Sequence, residues 1–115
     1  MRASHQDLPV TVADGGYEGR QTIWGDLTVS LETIKAPLDC TEMFSGLPGG
    51  HCSCPHWGYI VTGRMRVRYD DREEVLEAGD AYYLAPGHVP IVEEDTVLVE
   101  FSPADLLAKT MAALG

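Results

Sequence analysis

Basic residues are scarce in this chain. Its 115 residues hold 8 Lys and Arg against 18 Asp and Glu, a formal charge of −10. A surface of that sign repels phosphate backbones and anionic lipid, which argues against nucleic acid and membrane surfaces as partners. Long apolar runs are missing too. No stretch approaches the roughly 18 consecutive apolar residues of a spanning helix, and Met1 to Val10 carries no apolar signal core. The expected location is therefore the cytoplasm. Cysteine is limited to Cys40, Cys52 and Cys54, an odd set that suits thiols or ligands better than a disulfide framework. Cys52 and Cys54 also stand too close along an extended strand to bridge each other easily. The chain has no internal repeat, no low-complexity tract and no linker long enough to divide it. One domain follows, large enough to bury a core without staples.

What is present is a dense series of turn signals. Gly15-Gly16, Gly25-Asp26, Pro37 to Asp39, Gly46 to Gly50, Gly63, Asp70-Asp71, Gly79-Asp80, Pro86-Gly87 and Glu94-Asp95 punctuate the sequence. Short, even spacing of this kind predicts an all-β sandwich or barrel and not βαβ units. The segments between agree. Met65, Val67 and Tyr69 alternate with Arg64, Arg66 and Arg68; Leu27, Val29 and Leu31 alternate with Thr28, Ser30 and Glu32; Val97, Val99 and Phe101 alternate with Leu98 and Glu100. Tyr59-Ile60-Val61 reads as a strand covered on both faces. Only the tail looks helical: Ser102 can cap, Pro103 suits the first helical position, and Leu106, Leu107, Met111 and Leu114 recur at helical spacing. The reading is a flexible arm over residues 1–8 and one domain over 9–115. That domain should hold nine to eleven short antiparallel strands and a helix over 103–114.

The stretch with chemical content is Gly49-Gly50-His51-Cys52-Ser53-Cys54-Pro55-His56-Trp57, two cysteines and two histidines within six residues. On one extended strand Cys52, Cys54 and His56 would share a face. Positions two apart lie ~6.6 Å from each other and can meet one ion, whereas positions four apart lie ~13 Å apart and cannot without a bend. Pro55 and the glycines can supply one. Thiolate and imidazole suit Zn²⁺ or Fe²⁺. A further ligand must come from elsewhere, and His88 is the remaining histidine outside the arm. The site so read consists of Cys52, Cys54, His56 and His88. Each residue taken alone also reads as a small buried hydrophobe or a hydrogen-bonded core histidine, and it is the clustering that favours ligands. With His56 two positions along, Cys54 is expected to be the thiol most shifted toward thiolate, and Cys40 to be structural. No strand-to-helix elbow supports a nucleophile built on Cys54 and His56.

From about Trp24 to Pro103 the chain resembles a single-domain cupin, a small antiparallel jelly-roll β-barrel, of a subgroup found among small bacterial cupins. The first cupin motif runs Gly, five residues, His-x-His, three or four residues, Glu, six residues, Gly. His56, six residues and Gly63 match its last part, with histidine in the glutamate position. Counting back places the second histidine at Cys52 for a three-residue gap or at His51 for a four-residue gap, and the first at Gly50 or Gly49. The second motif runs Gly, five residues, Pro-x-Gly, two residues, His. Gly79 and Pro86-Gly87 resemble it, with the proline one residue late, Pro90 where the histidine belongs and His88 two residues early. The resemblance implies an open metal position used in dioxygenation, isomerisation or cyclisation of a small organic molecule, and a homodimer. The alternative it leaves is a non-catalytic module that binds a small ligand or senses or buffers a metal.

Other residues have plainer expectations. One of Tyr82 and Tyr83 faces inward, as a core aromatic or as a hydroxyl near the site. Trp57 points away from His56, to pack between sheets or at a dimer contact. Asp70-Asp71 with Glu73-Glu74, and Glu93-Glu94-Asp95, read as solvated turns, and the three strand arginines as cross-sheet partners of acidic residues.

Overall fold

The computed structural model describes residues 1–114. Ten strands precede one helix: β1 (Val10–Asp14), β2 (Tyr17–Trp24), β3 (Leu27–Ile34), β4 (Leu38–Asp39), β5 (His56–Thr62), β6 (Arg64–Arg68), β7 (Glu73–Glu77), β8 (Ala81–Leu84), β9 (Val89–Val92), β10 (Thr96–Pro103) and α1 (Ala104–Leu114). Every strand pairing among them is antiparallel. One sheet runs β1-β2-β3-β10-β5-β8 and the other β4-β9-β6-β7. The two sheets do not join into a continuous barrel; they stack as the two walls of a jelly roll, and their facing side chains make the core. Ile34, Ile60, Leu84 and Leu98 come from the larger sheet, and Met65, Val67, Leu76 and Val92 from the smaller.

The alternating segments fold as their period demands, because the pleat sends successive side chains to opposite faces. On β6 Met65 and Val67 are buried, while Arg66 reaches across the sheet to Glu73 and Glu93. On β3 and β10 the outcome is less usual. The inward residues are Thr28, Ser30, Glu32 and Ile34 on one strand and Thr96, Leu98, Glu100 and Ser102 on the other. Three of the four inward residues on each strand are therefore polar, and Ser30, Glu32, Glu100 and Ser102 among them border a cavity.

The helix begins one residue later than expected. Pro103 still belongs to β10, and Ser102 does not cap α1, because its hydroxyl is turned inward onto His56. The first turn is held instead by the Ala104 amide donating to the Asp26 carbonyl and the Leu106 amide donating to Asp105. Leu107 and Leu114 lie against a second cluster of Cys40, Phe44, Leu47, Cys52, Cys54 and Val89. In the N-terminal segment a 3₁₀ turn covers His5–Asp7, Leu8 is buried, and Arg20 donates to its carbonyl.

Candidate metal centre

Cys52, His56 and His88 meet at one point on the wall of the cavity. One ligand atom from each lies within 4.8 Å of the others, and all three residues are buried. Three local devices bring them there. Gly49 and Gly50 adopt positive φ, which side chains resist, and turn the chain into Cys52. A two-residue bridge then pairs Cys52 with His88: the Cys52 amide donates to the His88 carbonyl, and the Gly87 amide donates to the Cys52 carbonyl. The chain bends through Cys54 and Pro55 before β5 starts at His56.

That bend corrects the expectation of a single extended strand. Residues four apart come together, with Cys52 Sγ 3.7 Å from His56 Nε2. Cys54, expected on the same face, is not brought to the group. Its thiol donates to the Pro55 carbonyl at 3.5 Å, inside the apolar cluster with Phe44 and Leu47. Burial raises its pKa to about 12, as it does for Cys40. The expectation of a thiolate-like Cys54 is therefore reversed: no imidazole faces it, and desolvation penalises the charged form. His51, the other alignment with the first motif, also lies outside the group, and its Nδ1 is buried without a partner.

The two ligand imidazoles are oriented from behind. His88 Nδ1 lies 2.7 Å from the Ala85 carbonyl. A carbonyl can only accept, so Nδ1 carries the proton and Nε2 keeps its lone pair. His56 Nδ1 lies 2.6 Å from Ser102 Oγ, a hydroxyl that can donate or accept, and its Nε2 faces Cys52 Sγ. The rings stand edge to face with centroids 5.0 Å apart. Burial lowers both histidines to a pKa of about 4, so both are neutral at pH 7. Burial raises the Cys52 thiol above its usual range.

Beside the group lies a carboxyl pair that the sequence reading passed over. Glu100 stands beside His56, with Oε2 3.7 Å from Nδ1, and its Oε1 accepts from the Tyr82 hydroxyl at 2.8 Å. Tyr82 can reach it because Gly58 lies between them: a Cβ there would sit 2.4 Å from the Tyr82 ring and from the Val99 carbonyl. Glu32 lies on β3 next to this row, and burial together with Glu100 pushes its carboxyl well above the ordinary range. Burial raises Glu100 in turn. The signal available in the sequence was a carboxylate on each of two strands whose other alternate residues are small or apolar. Tyr83 and Trp57 face outward, stacked on each other at 5.3 Å.

No family model matches the chain, and no curated protein matches it by sequence. Solved structures do. An RmlC-like cupin from Shewanella frigidimarina aligns at a TM-score of 0.65 and 17% identity, covering 89% of each chain. The fold is that of a cupin. KdgF from a Halomonas species aligns over 87% of this chain and 92% of its own, at a TM-score of 0.62 and 20% identity. The Fe(II) form of HppE aligns over 89% of this chain and 59% of its own, at a TM-score of 0.63 and 8% identity. In this cupin fold the Cys52, His56 and His88 group opens toward a cavity of about 360 Å³ between the sheets. Val12, Asp14, Met43 and Met111, all at least partly exposed, stand at its rim. No helix among the described residues is long and apolar enough to cross a membrane.

Proposed function

We propose that this chain is a metal-binding cupin that acts on a small organic molecule, with Cys52, His56 and His88 as the protein ligands of one divalent ion, zinc or iron. The observation that carries the reading is the His88 hydrogen bond to Ala85, which leaves an unprotonated nitrogen for the point where Cys52 and His56 converge. Backbone or side-chain acceptors behind a ligating imidazole are the usual means of fixing its tautomer. The donor set fits: one thiolate and two imidazoles suit zinc or iron, and three protein ligands leave a position for substrate. HppE, one of the fold neighbours, exists in an Fe(II) form.

When bound, the ion would supply a Lewis-acid centre at the cavity wall. The chain's own residues supply the rest. Ala85 and Ser102 hold the imidazoles, Tyr82 steadies Glu100, and Glu100 offers an acceptor for a polar group of the substrate. The apolar walls limit water. The three cysteines are free and buried, which suits a reducing compartment and supports a cytoplasmic location. A homodimer would cover Trp57, Tyr59, Val61 and Tyr83, each close to half exposed on the outer face of the larger sheet.

Protein purified without a histidine tag should carry or take up one ion per chain. Reconstitution with Co²⁺ should give a thiolate charge-transfer band that Cys52→Ala abolishes and Cys54→Ala keeps. Absence of both the ion and the band, on purification and after reconstitution, overturns the metal site. A chain that keeps the ion and turns over no small molecule is a binding module.

A further inference from the structure

The cavity has a chemical sense of its own. Its lining includes three acidic residues, Asp14, Glu32 and Glu100, and no lysine or arginine. The two histidines in it are the neutral pair already described. Glu32 is 7% exposed; the Tyr17 and Ser30 hydroxyls bear on its carboxyl and Glu100 stands against it, so two carboxyls lie side by side in the cavity wall. Two buried carboxyls side by side are costly to ionise together unless a cation stands against them. Much of the remaining wall is hydrocarbon: Ile34, Met65, Leu84, Val92 and Leu98 line the same space.

We propose that the cavity takes a small organic cation, an alkyl- or cycloalkylammonium, with its nitrogen against the Glu32 and Glu100 carboxyls and its hydrocarbon body along Ile34, Met65, Leu84 and Leu98. This deepens the proposed function by naming the class of its small molecule. An ammonium brings the positive charge that the lining lacks and can donate to both carboxyls. With no metal bound, an anion would meet acidic residues and no basic side chain to offset them. A neutral alcohol supplies a donor without charge and is held more weakly. Asp14, at the rim, favours entry of the same sign of ligand.

The test is a matched series, cyclohexylmethylamine, cyclohexylmethanol and cyclohexanecarboxylate, titrated into the full-length chain by calorimetry and by amide NMR. Each is run on zinc-loaded and on chelator-treated protein. The expected result is saturable binding of the amine in both states, at least tenfold tighter than the alcohol, and no binding of the carboxylate to the chelator-treated protein. Shifts should centre on Glu32, Glu100 and Tyr82. Glu32→Gln should weaken the amine at least tenfold and leave zinc content unchanged. Carboxylate binding to the chelator-treated protein as tight as the amine, amine binding that Glu32→Gln does not weaken, or no amine binding in either state overturns the proposal. The ligand series needs no variant, so a misfolded Glu32→Gln leaves the decision with it. Because the chelated arm contains no ion, failure of the metal site and failure of the amine site read out separately.

Discussion

Within the larger sheet, the same strands build two unlike regions. Toward one end the inner face carries Ile34, Ile60 and Leu98, packed against Met65, Val67 and Val92; Ile60 and Val67 lie behind the cavity wall that the other four help to form. Toward the other it carries Ser30, Glu100, Ser102 and His56, bordering the cavity. In register the change is abrupt: Leu98 pairs with Ile60 and with Glu32, and two residues on, Glu100 pairs with Gly58 and Ser30. The β10–β5 pairing slips between Val97 and Leu98, whereas the β10–β3 pairing runs through both halves in register. What differs is whether the facing sheet fills the space with hydrocarbon or leaves it open. The dry half supplies the stability, and the wet half uses some of it to hold carboxyls and imidazoles out of water.

That contrast can be broken from the dry side first. Ile60 is fully buried, and Ile60→Ala should destabilise the protein by about 2–5 kcal/mol through lost burial and the cavity left behind. Urea unfolding measures it, and a cost below about 1 kcal/mol would mean that this half is not the stabilising one.

The wet side should respond in the opposite direction. Glu32→Gln keeps the shape and removes a charge that burial penalises, so it should stabilise the protein by about 1–3 kcal/mol at pH 8. The sign follows from linkage. The folded carboxyl titrates above its ordinary 4.5, so the folded state keeps a proton that the unfolded chain releases. Stability from the neutral form is present below about pH 4.5 and lost as pH rises toward the folded value. Glutamine does not lose it, and its advantage should shrink to nothing near pH 4. An equal advantage at both pH values would place its origin in packing and not in charge.

How much of this was legible depended on which half of the sheet was read. The strand count, the two-residue alternation and the burial of Met65, Val67 and Tyr69 followed from period and turn spacing alone, because hydrophobic burial is what fixes the register. Three of the four proposed ligands converge, but their geometry was misread. Cys54 was placed on a strand that does not exist there, since a bend is set by Gly49, Gly50 and Pro55 acting together and not by side-chain period. The alternation of Thr28, Ser30 and Glu32 with Leu27, Val29 and Leu31 marks a strand but does not say which set faces in, because the rule that polar residues point outward fails where a cavity takes the place of a core. Ser102 was read as a cap for the same reason. Its hydroxyl had a partner in His56 that lies 46 positions away in sequence.

A smaller effect tests the protonation states of the ligands in the wet half. Both histidines titrate at about 4 and are neutral from pH 6 upward, while the Cys52 thiol titrates above its ordinary 9. Zinc binding should then displace one proton, from Cys52 alone. Its affinity should rise about tenfold per pH unit between about pH 6 and 8, which is about 1.4 kcal/mol per unit. Competition against a chelator of known pH dependence measures the slope. A slope near three below pH 6.5 would mean that the imidazoles are protonated before the metal arrives.

The smallest effect on stability belongs to the third surface these strands present. Trp57 and Tyr83 stack on the outer face, 46% and 49% exposed, only three residues along β5 from fully buried Ile60 in the case of Trp57. The pleat sends Trp57 outward and Ile60 inward, and that alternation alone separates their energetics. In a monomer, Trp57→Ser should cost about 1 kcal/mol or less, because it removes a half-exposed aromatic contact and leaves no cavity. Its expected consequence is in assembly. If a second copy covers this face, light scattering should show the wild type as a dimer and Trp57→Ser shifted toward monomer, with metal content unchanged. A wild type that is monomeric at high concentration overturns the dimer. A stability loss as large as that of Ile60→Ala would mean instead that this face carries part of the fold, and the division between the inner and outer faces of β5 would have to be redrawn.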